Sequence, residues 1–379
     1  MNWKIEGLKR LDAVLGNISC AASKLMVSPR KYGSGESRKI LVIRPGGIGD
    51  AVLLYPALAA LRNHYRDYTI DVLAEKRNSG VFAGCPYIDN LLLYDRDPRV
   101  TLLGVIRGGY DIVIDTEQWH RMTSALTYLT RAPERVGFAT NERAELYSRR
   151  VRYSHDDYEA VSFLNLVSAL TGEKYEFDET KPFLPIATGL NGGLSAALSD
   201  FKAGKRAVLG IFTGATVPER RWGVNKFAAL AGELSREDIG IVLLGGGQEK
   251  RDAEAFSRTR EDGFVLDLIG KTPLRETASV ISGLDLFISG DTGLMHIAYG
   301  AGTPTVSLFG AGIQEKWAPR GDDHIVINRN VPCSPCTKFG YTPSCPYGVR
   351  CLAEIGVEEV KESALDLLRR TSHERNAGK

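Results

Sequence analysis

From about residue 39 onward, short apolar runs alternate with stretches of helical periodicity. Ile40–Ile43, Thr69–Leu73, Asn90–Tyr94, Ile112–Asp115 and Arg135–Gly137 read as strands, with helical stretches between some of them. The pattern resumes with Ala207–Phe212, Ile239–Leu244, Leu284–Ile288 and Thr305–Phe309. Such alternation predicts an α/β class with parallel, doubly wound sheets. The Gly-rich stretch from Thr188 to Gly193 interrupts it as a plausible hinge. The expected organisation is an extension at 1–38, one α/β domain at 39–187, a second at 188–355, and a C-terminal helix and tail at 356–379.

The extension has a different pattern. Leu8, Leu11, Leu15, Ile18, Ala22 and Leu25 recur at intervals of three and four, which is one face of a helix. Residues 1–39 carry eight Lys/Arg against three acidic residues, a net +5. A basic amphipathic helix suits an anionic membrane surface, and equally its own body or a dimer partner.

Chemistry concentrates in the turns after the strands. In Ser289–Gly310, a strand leads through Asp291, Thr292 and Gly293 into a short apolar helix. A strand, a tight turn and a helix start present unpaired N–H groups at a positive dipole end, suited to phosphate or to an ordinary strand–helix junction. Asp291 is placed to cap that helix, and Thr292 to offer a hydroxyl. His296 follows one turn later, as a further donor or a packing residue. In the first domain, Pro45-Gly46-Gly47-Ile48-Gly49-Asp50 joins the first strand to a helix that Pro56 kinks or breaks. Its G-G-x-G spacing is not the dinucleotide fingerprint. Asp50 reads as an N-cap or as a general base. Thr213–Thr216 precedes Arg220 and Arg221, two guanidinium groups able to clamp a diphosphate. Trp119, His120 and Arg121 follow the Ile112–Ile114 strand, at the strand end where ligands sit in such sheets, or form a surface turn. Arg131, Arg135, Arg143, Arg149 and Arg150 suit an anionic acceptor or a solvated face.

Together these segments resemble glycosyltransferase family 9, the ADP-heptose:lipopolysaccharide heptosyltransferases. The resemblance rests on Ile40–Arg62, Thr213–Leu234, the Asp291-Thr292-Gly293-x-x-His296 stretch with Leu308-Phe309-Gly310 and Trp317–Gly321, and the tail from Cys333 to Val360. That tail looks like the second heptosyltransferase of the inner core. The resemblance spans about residues 39–365. Arg220 stands where the family usually has Lys.

The resemblance implies a GT-B architecture, two facing Rossmann-like domains with the nucleotide on the second. It implies inverting, metal-independent transfer of heptose from ADP-heptose to a lipopolysaccharide core or lipid-linked acceptor. Asp50 would be the base. Thr216, Arg220, Glu249, Thr272, Asp291, Thr292, Gly293 and His296 would bind the donor, Glu249 through nucleoside hydroxyls and Thr272 beside the base. Gly47, Trp119 and Arg121 are the acceptor candidates. The alternatives are another nucleotide-activated sugar or an inactive nucleotide-sugar-binding protein.

Composition agrees with a globular enzyme, 43% hydrophobic and 25% charged with net charge +2. That balance, without a clustered basic stripe, argues against nucleic acid as a partner. No run approaches the roughly 20 apolar residues that span a bilayer, and no signal peptide is evident, so a cytoplasmic enzyme is expected, with the inner membrane face as a peripheral partner of the extension. Cys333, Cys336, Cys345 and Cys351 hold four of the six cysteines. Their spacing fits a structural Zn²⁺ site of four thiolates or free thiols. No cofactor is expected for the reaction.

Overall fold

The computed structural model describes residues 12, 16, 19–25, 27–30, 37–186, 189–257, 263–338 and 341–377. The chain forms two compact units, Met1–Phe177 and Asp178–Lys379. Among the described residues each contains one six-stranded sheet, and every pair of these strands is parallel.

In the first unit the strands are β1 (Lys39–Ile43), β2 (Thr69–Ala74), β3 (Asn90–Leu93), β4 (Ile112–Asp115), β5 (Glu134–Phe138) and β6 (Arg149–Val151), in the order β3-β2-β1-β4-β5-β6. In the second they are β7 (Ala207–Phe212), β8 (Ile239–Leu243), β9 (Val265–Asp267), β10 (Leu286–Gly290), β11 (Thr305–Phe309) and β12 (His324–Asn328), in the order β12-β11-β10-β7-β8-β9. Helices cover both faces, so β4, β8, β10 and β11 are buried along their whole length. This is why they read as continuous apolar runs in the sequence. The chain order reverses between β1 and β4 in one sheet and between β7 and β10 in the other. Loops leaving neighbouring strands diverge there and open a crevice at the carboxyl edge.

Pro56 ends up at a helix break. One helix closes at Leu53, and the next, Tyr55–His64, starts with the proline in its first turn, where no N–H is required. The last helix, Val357–Ala377, joins the second core through Val360, Ala364, Leu367 and Leu368.

The described part of the extension packs on the first unit. Asp12 accepts hydrogen bonds from the N–H groups of Arg121 and Met122, both at 2.8 Å, and so caps the helix Met122–Leu129 from far away in sequence. Cys20 is buried against Ala125, Leu146 and Tyr128. A Cβ at Gly16 would lie 2.8 Å from the Arg121 side chain, so the helix approaches this closely only with glycine there. The packed face is therefore Asp12, Gly16, Cys20 and Ser23. The apolar stripe expected from the spacing is not that face at its described positions: Ala22 is half-buried and Leu25 is 90% exposed. Leu8, Leu11, Leu15 and Ile18 lie outside the described residues.

Candidate functional site

In the second unit, the loops at the β7/β10 reversal collect most of the donor candidates. Thr292 is the N-cap of the helix Gly293–Gly300, its hydroxyl accepting from Met295 N at 3.4 Å. Asp291 was expected as that cap, but the structure gives the cap to its neighbour. Asp291 is 6% exposed, and its Oδ2 lies 3.0 Å from Arg220 Nη1. Arg220 sits in the turn Pro218–Arg220 after β7, and its Nη2 also reaches Thr337 Oγ1 at 3.3 Å. Its Nε is buried without a hydrogen-bond partner. A cation with a spare donor thus lies one residue from a helix N-terminus, an arrangement that accepts an anion. Arg221 does not join the clamp. It is exposed and turns to the Ala215 carbonyl at 3.3 Å.

Glu249 is 7% exposed, in the turn after β8, and accepts from Gly246 N at 2.9 Å. Its other oxygen presses against the loop after β7, where a Cβ at Gly214 would come within 2.6 Å of Oε1. Only glycine at 214 leaves this carboxylate room. Thr216 is exposed on that same loop. Thr272, after β9, pairs its hydroxyl with Thr277 at 2.8 Å. His296 is buried at 4% exposure, inside the helix.

Cys333 is exposed, Cys336 and Cys345 half-buried, and Cys351 buried, all as free thiols. Burial, then the neighbouring cysteines, pushes the Cys336 thiol up; burial acts first on Cys351 too. Among the described residues, no group of three or more His, Cys, Asp or Glu is arranged to hold a metal.

The first unit's reversal carries Asp50. It lies in the first turn of the helix Ile48–Leu53, whose N-cap is Gly47, so Asp50 is not the cap. Its side chain is 28% exposed, and Oδ2 is 4.0 Å from Arg44 Nη2. Arg44 and Glu117 are the members the sequence reading missed. Arg44, at the end of β1, is 1% exposed. Its Nε donates to Pro45 O at 2.6 Å and Nη1 to Thr116 O at 3.0 Å. Glu117 Oε2 lies 3.6 Å from the same Nη2. Burial raises the Glu117 carboxyl, but Arg44, then His120 and Arg143, and an N–H from Trp119 outweigh it, and the net shift is downward. A charge within two residues of the end of a buried apolar strand was the available signal for both residues.

The acceptor candidates are differently placed. Gly47 is exposed and Trp119 half-buried. Arg121 is taken up by Glu142, with Nε and Nη2 both on Oε2 at 2.9 and 2.8 Å. Arg135 and Arg143, expected to suit an anionic acceptor, are interior. Arg135 serves the carbonyls of Leu146, Ala132 and Pro133, and Arg143 pairs with Asp115 at full burial. Arg149 pairs with Glu134, and Arg131 donates to Ser28 O.

At the β1/β4 reversal a half-buried carboxylate thus stands near a buried cation, and at the β7/β10 reversal a cation stands beside a helix N-terminus. Similarity to known proteins bears on the family and the fold. The sequence profile "Glycosyltransferase family 9 (heptosyltransferase)" matches residues 101–343. Lipooligosaccharide heptosyltransferase 2 of Haemophilus influenzae is 24% identical, over 76% of this chain and 88% of that protein. Its Campylobacter jejuni counterpart is 23% identical, over 87% and 98%. The solved Escherichia coli ADP-heptose lps heptosyltransferase II superposes with a TM-score of 0.68 at 20% identity, covering 88% of this chain and 99% of that one. At that identity the superposition speaks for the fold, which is the expected α/β GT-B class with Rossmann-like domains. The profile spans well over half of the chain, through both reversal crevices' later loops, and places it in glycosyltransferase family 9, the heptosyltransferases.

Proposed function

We propose that this enzyme transfers heptose, with inversion, from ADP-heptose to an inner-core lipopolysaccharide acceptor. The observation that carries this reading is Arg220 beside the N-terminus of Gly293–Gly300, at the β7/β10 reversal. When a glycosyl–diphosphate bond breaks, negative charge grows on the leaving group. The helix-end amides, Thr292 and Arg220 supply positive potential for it, with Thr216 on the neighbouring loop. Glu249 receives the ribose hydroxyls, and Thr272 flanks the adenine. His296 contributes from within the helix. Asp291 orients Arg220.

Asp50 takes the proton from the attacking acceptor hydroxyl. Gly47 leaves room for the acceptor, and Trp119 offers a ring for its sugar. Arg121 is a weaker acceptor ligand, because Glu142 already holds it. The same names on the relatives, lipooligosaccharide heptosyltransferase 2 and ADP-heptose lps heptosyltransferase II, support the donor and acceptor class. We place the reaction on the cytoplasmic side of the inner membrane. No described helix is long and apolar enough to cross a membrane.

The test is turnover of ADP-heptose, followed by mass spectrometry over a panel of core acceptors, with and without EDTA. Asp50→Asn should leave ADP binding intact and cut transfer by roughly 10²-fold or more. Near-normal turnover by that variant would remove Asp50 as base. Loss of activity in EDTA that Mg²⁺ restores would end the metal-independent reading.

A further inference from the structure

We propose that Arg44 is the positioning residue for Asp50, and that Glu117 is the standing counter-ion that lets Asp50 gain and lose a proton without stranding Arg44. The inference rests on Asp50 as the base.

The geometry divides the Arg44 guanidinium cleanly. Nε and Nη1 are committed to the main-chain carbonyls of Pro45 and Thr116, which lie on the loops after β1 and β4. The planar group therefore cannot swing. Asn78 fixes the same corner, donating to Arg44 O at 3.1 Å while accepting from Glu75 N at 3.0 Å. What remains is Nη2, which faces two carboxylates, Glu117 at 3.6 Å and Asp50 at 4.0 Å. The rest of the guanidinium lies over the Phe163 ring.

A buried cation needs an anion at all times. If Asp50 were the sole partner, protonating it in the reaction would leave Arg44 uncompensated at 1% exposure. Glu117 removes that difficulty. It is 7% exposed, and its Oε1 accepts from Gln118 N at 3.0 Å and Trp119 N at 3.1 Å. Against the cost of burial, Arg44 first, then His120 and Arg143, and the Trp119 N–H favour its ionised form. Asp50, at 28% side-chain exposure, is the carboxylate that solvent and substrate can reach. One anion is thus locked and the other left exchangeable, around a cation that cannot move.

Other charged groups face this cluster. Tyr153, after β6, feels Asp50, Glu117 and Glu159, and its burial holds it as a neutral phenol. Glu159 is engaged by Tyr153 at 3.0 Å and Gln118 at 2.5 Å. His120 and Arg143 act on Glu117, and Arg77 sits near the Gly46 turn, paired with Glu75.

The experiment is the pH profile of kcat/KM for wild type, Arg44→Met, Arg44→Lys, Glu117→Gln and Asp50→Asn, with melting temperatures alongside. Removing the cation should raise the acid limb by roughly one pH unit or more, the scale on which an opposite charge within about 4–6 Å acts. Removing Glu117's charge should lower it. Arg44→Lys should restore most of the wild-type limb. In Arg44→Met, kcat should fall while KM changes little.

Opposite shifts are the signature, because a purely structural role would lower the melting temperature without moving the limb in two directions. An unshifted limb in folded Arg44→Met, or shifts of the same sign in the two charge-removing variants, overturns the inference. If Arg44→Met does not fold, Glu117→Gln decides: an unmoved limb overturns it. Asp50→Asn separates the two claims. If that variant stays active, the base reading fails; if it is dead while the limbs do not shift, only the role of Arg44 fails.

Discussion

Arg143→Met tests most directly whether the arginines after β4 serve the fold or the acceptor. Arg143 and Asp115 are both fully buried. Arg143 Nη2 lies 2.7 Å from Asp115 Oδ2, and Tyr147 donates to the same oxygen at 2.6 Å. Arg143 also donates to Tyr147 Oη from Nε at 3.0 Å and Nη2 at 2.7 Å, and to the Glu117 carbonyl from Nη1. Methionine fills the space but leaves the Asp115 carboxylate in the interior without a cation, held only by neutral donors, Tyr147 Oη on Oδ2 and the Glu117 N–H on Oδ1. Breaking a buried pair by removing one partner costs about 3–5 kcal/mol, which for a unit of this size lowers the melting temperature by roughly 6–20 °C. Calorimetry at neutral pH reads this, and the first unit's transition should be the one that moves. Asp115→Asn/Arg143→Met should recover much of the loss, because no buried charge is then left alone. A drop of under about 1 kcal/mol, or a double variant whose losses simply add, would refute the reasoning. An unchanged melting temperature with weakened acceptor binding would return Arg143 to the acceptor.

Three further outcomes are expected. Arg220→Ala should weaken ADP by about tenfold or more, with adenosine little affected, as calorimetry can show; equal losses for both ligands would contradict a diphosphate role. Gly214→Ala should push the Glu249 carboxylate aside, since the added Cβ would lie 2.6 Å from its Oε1, and weaken nucleoside binding, read by adenosine and ADP titration with melting temperature alongside; unchanged affinity would detach Glu249 from the ribose. Burial lowers His324 to about 4, from 6.5, so the folded state resists its protonation. Its contribution is present above about pH 6.5 and is lost as pH falls toward 4. His324→Gln should flatten stability against pH across that window, measured by denaturant unfolding, and a curve as steep as wild type would remove His324 as the cause.

The parallel α/β character, the helix break at Pro56 and the turn into Gly293–Gly300 were all legible in the sequence. Each is a local effect: apolar runs that need burial on both faces, a missing N–H, a hydroxyl beside a helix start. The loops that gather chemistry were also legible, since Gly, Thr and charged residues follow apolar strands there. What the sequence left open was which member of each loop does what. Asp291 and Thr292 are neighbours with similar capping preference, and only the backbone at β10 decides that Thr292 caps while Asp291 turns to Arg220. Arg135, Arg143 and Arg149 look alike along the chain. Whether a guanidinium is interior or exposed depends on partners far away in sequence, such as Asp115 and Tyr147 for Arg143. The same holds for Asp12, whose caps lie at Arg121 and Met122, and for Arg44, tied to Thr116 and Glu117 across the β1–β4 reversal. Periodicity and propensity act over a few residues and therefore determine the elements. Charge pairing in the interior acts across the sheet, so only the tertiary structure decides which charges bind ligand and which hold the scaffold.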